Sequence, residues 1–79
     1  MKARVIVTLK SGVLDPQGKA IEGALKGLAI DGLKAVRQGK IFDIEIEGDD
    51  RNAARLRLAE ACERLLANTI VENYAIEIG

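Results

Sequence analysis

The chain has 79 residues, with twelve basic and twelve acidic side chains and a formal net charge of zero. A protein of this size buries only about 60% of the surface that its unfolded chain exposes, so we predict a single domain, residues 1–79, that gains stability from a partner surface. The balanced charge provides no field that would attract phosphate backbones, which argues against nucleic-acid binding.

The first predicted element is a strand over residues 2–10. Val5, Val7 and Leu9 alternate with Ile6, Thr8 and Lys10, which is the period of a pleated strand. Gly12 follows and tolerates a positive φ, so we expect the chain to turn there.

A helix is predicted over residues 16–29. Asp15 supplies an N-cap oxygen, and Pro16 is a first helical residue with a preset φ and no N–H to satisfy. An apolar stripe at helical spacing follows: Ala20, Ile21, Ala24, Leu25 and Leu28.

The second half of the chain predicts a strand over 33–38, a strand over 40–47, a helix over 50–67 and a strand over 72–78. Two of these strands alternate apolar and polar residues, with Phe42, Ile44 and Ile46 apolar in one and Tyr74, Ile76 and Ile78 in the other. The helix carries an inner stripe of Ala54, Leu58, Ala61, Cys62, Leu65 and Leu66.

The order βαββαβ predicts an α+β fold. Right-handed crossovers would place both helices on one face of a single antiparallel sheet, giving a two-layer sandwich that is ferredoxin-like or related.

The amino-acid composition restricts which catalytic and metal-binding sites the chain can form. The chain has no His and one Cys, so a His-based triad, a histidine-containing zinc site and a redox cysteine pair are excluded. Cys62 lies mid-helix on the apolar stripe, where a buried structural role is expected. Asp43, Glu45 and Glu47 share one strand face and could suggest a hard metal, but an exposed antiparallel face normally carries such side chains. We expect no catalytic, cofactor-binding or metal-binding residue.

The cellular location of the protein is predicted from the distribution of apolar residues along the sequence. No apolar run approaches the roughly 20 residues of a membrane helix, and the N-terminus lacks the apolar core of a signal peptide. We therefore expect no membrane association and a cytoplasmic location.

The turn before the first helix is the remaining candidate site. Asp15 and Pro16 are explained as a helix cap, and an anion site at this helix N-terminus would lack the spacing of a P-loop. Capping leaves the other residues of the turn unexplained, so we predict that they contact a partner protein: Lys10, Val13, Leu14, Gln17 and Gly18.

The string from Val7 to Ala20, Val-Thr-Leu-Lys-Ser-Gly-Val-Leu-Asp-Pro-Gln-Gly-Lys-Ala, resembles the small (PurS) subunit of phosphoribosylformylglycinamidine synthase, from purine biosynthesis. The resemblance continues through residues 22–25, 36–40, 62–68 and 74–78, so it covers essentially the whole chain.

The resemblance implies a non-catalytic subunit that bridges a glutaminase and a large ATP-dependent synthetase. Glutamine-derived ammonia would convert formylglycinamide ribonucleotide to the amidine, with ATP and Mg used by the synthetase and no cofactor in this subunit. Given the small size, we expect a homo-oligomer, either a dimer or a tetramer.

Two alternatives remain open at this stage. A small ligand-sensing, regulatory oligomer rests on analogy with other ferredoxin-like folds alone. A stand-alone small enzyme would need an acid/base pair, for which only carboxylates, Lys and Tyr74 are available.

Overall fold

Six regular segments follow one another in the computed structural model, which describes residues 1–79. They are β1 (Lys2–Leu9), α1 (Pro16–Gly27), β2 (Gly39–Glu45), α2 (Arg51–Ala61), a π-helical turn (Cys62–Leu66) and β3 (Glu72–Ile78). The predicted α+β class is confirmed, and so is the antiparallel sheet. The bounds of β3 agree with the sequence prediction, whereas β1 and β2 end one and two residues earlier than predicted.

Strand β1 is the centre of the sheet, because β2 and β3 both pair with it in the order β2-β1-β3. Val5 lies opposite Phe42 on one side and Ile76 on the other. Alternate residues of the three strands therefore form one apolar face, as the period-2 pattern predicts. Helix α2 packs on this face through Ala54 and Leu58.

The core lies between this face and α2. Val5, Val7 and Cys62 are completely buried, and none of the three carries a charge. The buried apolar cluster consists of Ala3, Val5, Val7, Ala54, Leu58, Cys62, Ala67 and Ile78. Most of these side chains are small, so the core is thin and the isolated chain has limited apolar burial.

The second helix differs from its prediction at its C-terminal end. The α-helix stops at Ala61 and continues as the π-helical turn, in which the Ala67 N–H donates to the Cys62 carbonyl over 3.0 Å. The wider turn rotates the following side chains relative to an α-helix. As a result Leu65, predicted on the inner stripe, is 83% exposed, and Ala67 is buried instead.

The predicted strand at 33–38 does not form, and this part of the sequence prediction was wrong. Both sides of β1 are already paired, so the segment could have joined the sheet only at an outer edge, that of β2 or that of β3. It instead runs beside α1, where the Val36 N–H donates to the Glu22 carboxylate over 3.0 Å. Side chains of the first helix region, and not a neighbouring strand, thus satisfy backbone donors of this segment.

The expectation that both helices cover the sheet also differs from the structure. Helix α1 ends at Gly27, two residues earlier than predicted, and Gly18 is its only buried residue. The molecule is 48 Å long, close to the sum of an eight-residue strand, about 27 Å, and a 12-residue helix, about 18 Å, placed end to end. Helix α1 and the segment 31–38 therefore form an arm that extends beyond the end of the sheet.

Candidate functional site

The loop between β1 and α1 is a tight turn that leads directly into a capped helix. The Lys10 N–H donates to the Val71 carbonyl over 2.9 Å, which continues the sheet by one residue, and the Val13 N–H donates back to the Lys10 carbonyl over 3.1 Å. Gly12 has φ of 85°, a conformation that glycine adopts without strain. The sequence prediction of a turn at this glycine is confirmed.

Asp15 holds two backbone segments at once. One carboxylate oxygen accepts from the Gly18 N–H over 2.8 Å and caps α1, while the other accepts from the Gln38 N–H over 2.7 Å. The side chain is buried. These hydrogen bonds, that from Gln38 first, lower the pKa of the Asp15 carboxyl, because both stabilise its charged form.

Arg37 makes a second connection between the loop and the segment 31–38. Its guanidinium donates to the Val13 carbonyl over 2.7 Å and to the Lys10 carbonyl over 3.0 Å. Together with the hydrogen bond from Gln38 to Asp15, this fixes the loop against the chain that returns from α1. Sequence reasoning missed both roles, because the contacts span more than 20 positions and the segment was interpreted as a strand.

Gly18 has a packing role that its sequence position does not reveal. A Cβ at this position would overlap the carbonyl oxygen of Val36 and lie 2.8 Å from the Asp15 Oδ2 atom. The absence of a side chain therefore allows the segment 31–38 to approach α1 closely.

The other residues of the predicted partner site differ in their exposure to solvent. Leu14 is 70% exposed and Gln17 is exposed, whereas Lys10 and Val13 are half-buried and offer carbonyls to Arg37. Nothing within the chain covers Leu14. The candidate contact surface is thus narrowed to Leu14 and Gln17.

A cleft of about 420 Å³ lies beneath these two residues, between the end of the sheet and the start of α1. Lys40 and Glu72 both line the cleft and form an ion pair, with 3.6 Å between Nζ and Oε2. Leu9, on the central strand, also lines it. The cleft thus has both apolar lining residues, including Val7, Leu9 and Leu14, and polar ones, which include Asp15 and Gln38 in addition to the ion pair.

The other reactive groups are engaged in structural contacts. Burial raises the pKa of the Cys62 thiol, and nearby Glu63 adds to the effect, so the thiol is protonated and is a poor nucleophile. Arg4 and Asp43 form an ion pair of 2.8 Å on the outer face of the sheet. No group of three metal-ligating side chains lies close enough together to hold an ion, and no helix has the length and apolar character needed to cross a bilayer.

These features define a small α+β chain whose loop between β1 and α1 is fixed by hydrogen bonds and faces solvent at Leu14 and Gln17. The family model for PurS, described as phosphoribosylformylglycinamidine (FGAM) synthase, matches residues 2–79. The chain belongs to the PurS family.

Individual relatives agree with this assignment over nearly the whole chain. The PurS subunit of Bacillus subtilis phosphoribosylformylglycinamidine synthase is 44% identical over 77 residues, which are 98% of this chain and 90% of that protein. The corresponding subunit of Synechocystis is 44% identical over 95% of this chain and 75% of its own length.

Solved structures give the same result for the fold. Methanocaldococcus jannaschii PurS superposes with a TM-score of 0.86 at 38% identity, covering 96% of this chain and 92% of that one. A chain in the structure of PurLQS from Thermotoga maritima superposes with a TM-score of 0.88 at 34% identity, covering 96% and 93%.

Proposed function

We propose that the chain is the non-catalytic small subunit of phosphoribosylformylglycinamidine synthase and bridges the glutaminase and the ATP-dependent synthetase. In this role it allows glutamine-derived ammonia to convert formylglycinamide ribonucleotide to the amidine in purine biosynthesis. The observation that carries the proposal is the full-length match to the PurS family. The superposition on a chain of PurLQS supports it further.

The arrangement of side chains suits a bridging role better than a catalytic one. The carboxylates of Asp15, Glu22 and Asp43 are held by backbone N–H groups or by arginine. The thiol is buried and protonated. ATP and Mg are used, in this proposal, by the synthetase, and the subunit itself binds no cofactor and acts in the cytoplasm as a homo-oligomer.

Reconstitution tests the proposal directly. Synthetase and glutaminase are assayed for amidine formation with and without the chain, once with glutamine and once with a high concentration of ammonium chloride. We expect the chain to be required for the glutamine-dependent reaction only, because added ammonia reaches the synthetase without a glutaminase. Equal glutamine-dependent rates with and without the chain would contradict a bridging role.

Leu14 and Gln17 are the residues that we propose contact a subunit of the complex. Leu14→Ala and Gln17→Ala should weaken copurification with the glutaminase and synthetase while leaving thermal unfolding of the isolated chain nearly unchanged, because both side chains are exposed. Leu56→Ala is a matched control, since Leu56 is 74% exposed on α2 and far from the loop in sequence. If all three variants assemble and support synthesis normally, the contact surface lies elsewhere, most plainly on the outer face of the sheet.

A further inference from the structure

The twelve basic and twelve acidic side chains cancel in total but not along the molecule. Residues 10–40, which comprise the loop, the arm and the first two residues of β2, contain six basic and three acidic side chains, a formal charge of +3. The rest of the chain contains six basic and nine acidic side chains, a formal charge of −3. Because the molecule is 48 Å long and the Debye length at physiological ionic strength is about 8 Å, the arm presents its own charge to an approaching molecule.

Most carboxylates of residues 10–40 are buried, whereas the cations face solvent. Asp15 is 5% exposed and accepts from two backbone N–H groups. The Glu22 side chain is 13% exposed and accepts from the Val36 N–H. Asp31 is the only exposed carboxylate in this stretch. The cationic side chains, of which only the first is half-buried, form a set that we call the basic arm: Lys10, Lys19, Lys26, Lys34, Arg37 and Lys40.

The charge of the basic arm is largely free to act on a partner. Two of its lysines form ion pairs over 3.6 Å, Lys19 with Glu22 and Lys40 with Glu72, and both lysine side chains remain more than half exposed. The Arg37 guanidinium donates to two carbonyls, which hold its position without cancelling its charge. The other three lysines form no ion pair within the chain.

The cations of α1 do not lie on the apolar side of the helix. Lys19 and Lys26 are seven positions apart, which places them on one side of a helix with about 3.6 residues per turn. The apolar stripe of α1, which includes Ile21 and Leu28, lies on the opposite side. A contact at the apolar stripe therefore leaves the two lysines accessible.

The surroundings of the basic arm favour a protein partner over a nucleic acid. Proteins that bind single strands stack bases on aromatic side chains, and the two aromatic residues of this chain, Phe42 and Tyr74, lie in β2 and β3 instead. Leu14 and Gln17 are exposed where the arm begins. An apolar contact bordered by charged groups is the usual composition of a protein interface.

We infer that the basic arm docks onto an acidic protein surface, and that this surface belongs to one of the two enzymes that the chain bridges. The identity of the partner rests on the proposed function, whereas the charge of its surface follows from the arm. Opposite charges on the two surfaces steer their encounter and fix the orientation of the arm. The chain is then an asymmetric bridge, because the part outside residues 10–40, with a formal charge of −3, does not fit the same acidic surface.

Association rates test this docking. The full chain is bound to immobilised glutaminase and synthetase, separately and together, at salt concentrations from about 0.01 M to about 1 M, over which the Debye length falls from about 30 Å to about 3 Å. Lys26→Glu and Lys34→Glu are compared with Arg57→Glu. Arg57 is a matched control because it is exposed on α2, forms no ion pair and changes the net charge by the same amount when replaced.

We expect each arm variant to lower the association rate constant with one of the two enzymes by about 3- to 10-fold at low salt. The difference should shrink at high salt, because salt screens exposed charges. Arg57→Glu should leave the rate nearly unchanged. Circular dichroism should show the same fold for all three variants, since each replaced side chain is exposed.

Other results would overturn the inference. Rates that are unchanged in the arm variants, or equally lowered by Arg57→Glu, would show that the position of the charge has no influence. Faster association of the arm variants would mean that the partner surface is basic. Binding of duplex DNA or anionic vesicles that the two arm substitutions abolish would make the arm a general polyanion site.

The reconstituted reaction separates this inference from the proposed function. If the unsubstituted chain is required for glutamine-dependent synthesis but the arm variants associate as it does, the bridging role stands and the inference fails. A chain that binds neither enzyme, separately or together, would contradict the bridging role itself and the docking with it.

Discussion

Gly18 and Gly23 lie in the same helix, and we predict that replacing each by alanine shifts stability in opposite directions. A Cβ at Gly23 meets no atom within 4 Å, so Gly23→Ala should gain the ordinary helix preference of alanine, about 0.5–1 kcal/mol. A Cβ at Gly18 would overlap the Val36 carbonyl oxygen and crowd the Asp15 carboxylate. The same substitution thus meets open solvent at one position and packed backbone at the other.

The expected change in the free energy of unfolding for Gly18→Ala depends on which atoms must move to accommodate the added Cβ. Overpacking costs about 1–3 kcal/mol, and the upper end applies because the obstructing atom belongs to the backbone and cannot rotate away. After the gain in helix preference is subtracted, Gly18→Ala should destabilise the fold by about 2 kcal/mol. The unfolding free energies of the two variants should differ by about 3 kcal/mol. Because the helix preference of alanine is common to both variants, this difference measures the cost of the clash at residue 18.

Equilibrium urea unfolding measures both variants against the unsubstituted chain. All samples must have the same protein concentration, because association adds to apparent stability by mass action. The expected result is a midpoint that rises for Gly23→Ala and falls for Gly18→Ala. If both midpoints rise equally, the segment 31–38 does not pack against α1 and the arm is not built as described.

Three further predictions concern ionisation and chemistry. The pKa of Asp15 is lowered in the folded chain by the N–H groups of Gln38 and Gly18, so its contribution to stability is complete above the unfolded pKa of about 3.9 and is lost as the pH falls through the folded pKa. Asp15→Asn should therefore be less stable than the unsubstituted chain at pH 7. Its stability should also fall less steeply as the pH is lowered below about 4. If the two stability profiles are parallel, the ionised Asp15 carboxylate does not contribute to stability in this way. Cys62→Ala should keep full glutamine-dependent activity in the reconstituted complex, because the thiol is buried and protonated, and loss of activity in a folded variant would assign the thiol a function. The isolated chain should release no ammonia from glutamine and no phosphate from ATP, and a turnover that persists through further purification would contradict a non-catalytic subunit.

Local patterns in the sequence were sufficient to predict much of the fold. The alternation in β1 and β3 depends only on which side chains face the core, and it placed both strands within one residue of their observed bounds. Asp15 and Pro16 define the start of α1 through a local hydrogen bond and a fixed φ, so that start was also predictable. The family resemblance rests on the same loop, because its residues are contiguous in sequence.

The arm was decided by tertiary structure alone. Residues 33–38 have a composition compatible with a strand, but Asp15, Glu22 and the loop carbonyls take up their hydrogen-bonding groups, and these partners lie 14 to 27 positions away. Sequence periodicity also identified the apolar stripe of α1, between Ala20 and Leu28, without showing what this stripe packs against. Sequence periodicity shows that a helix has an apolar side. Which surface covers that side depends on the position of the helix in the fold. Here long-range hydrogen bonds hold α1 away from its own sheet.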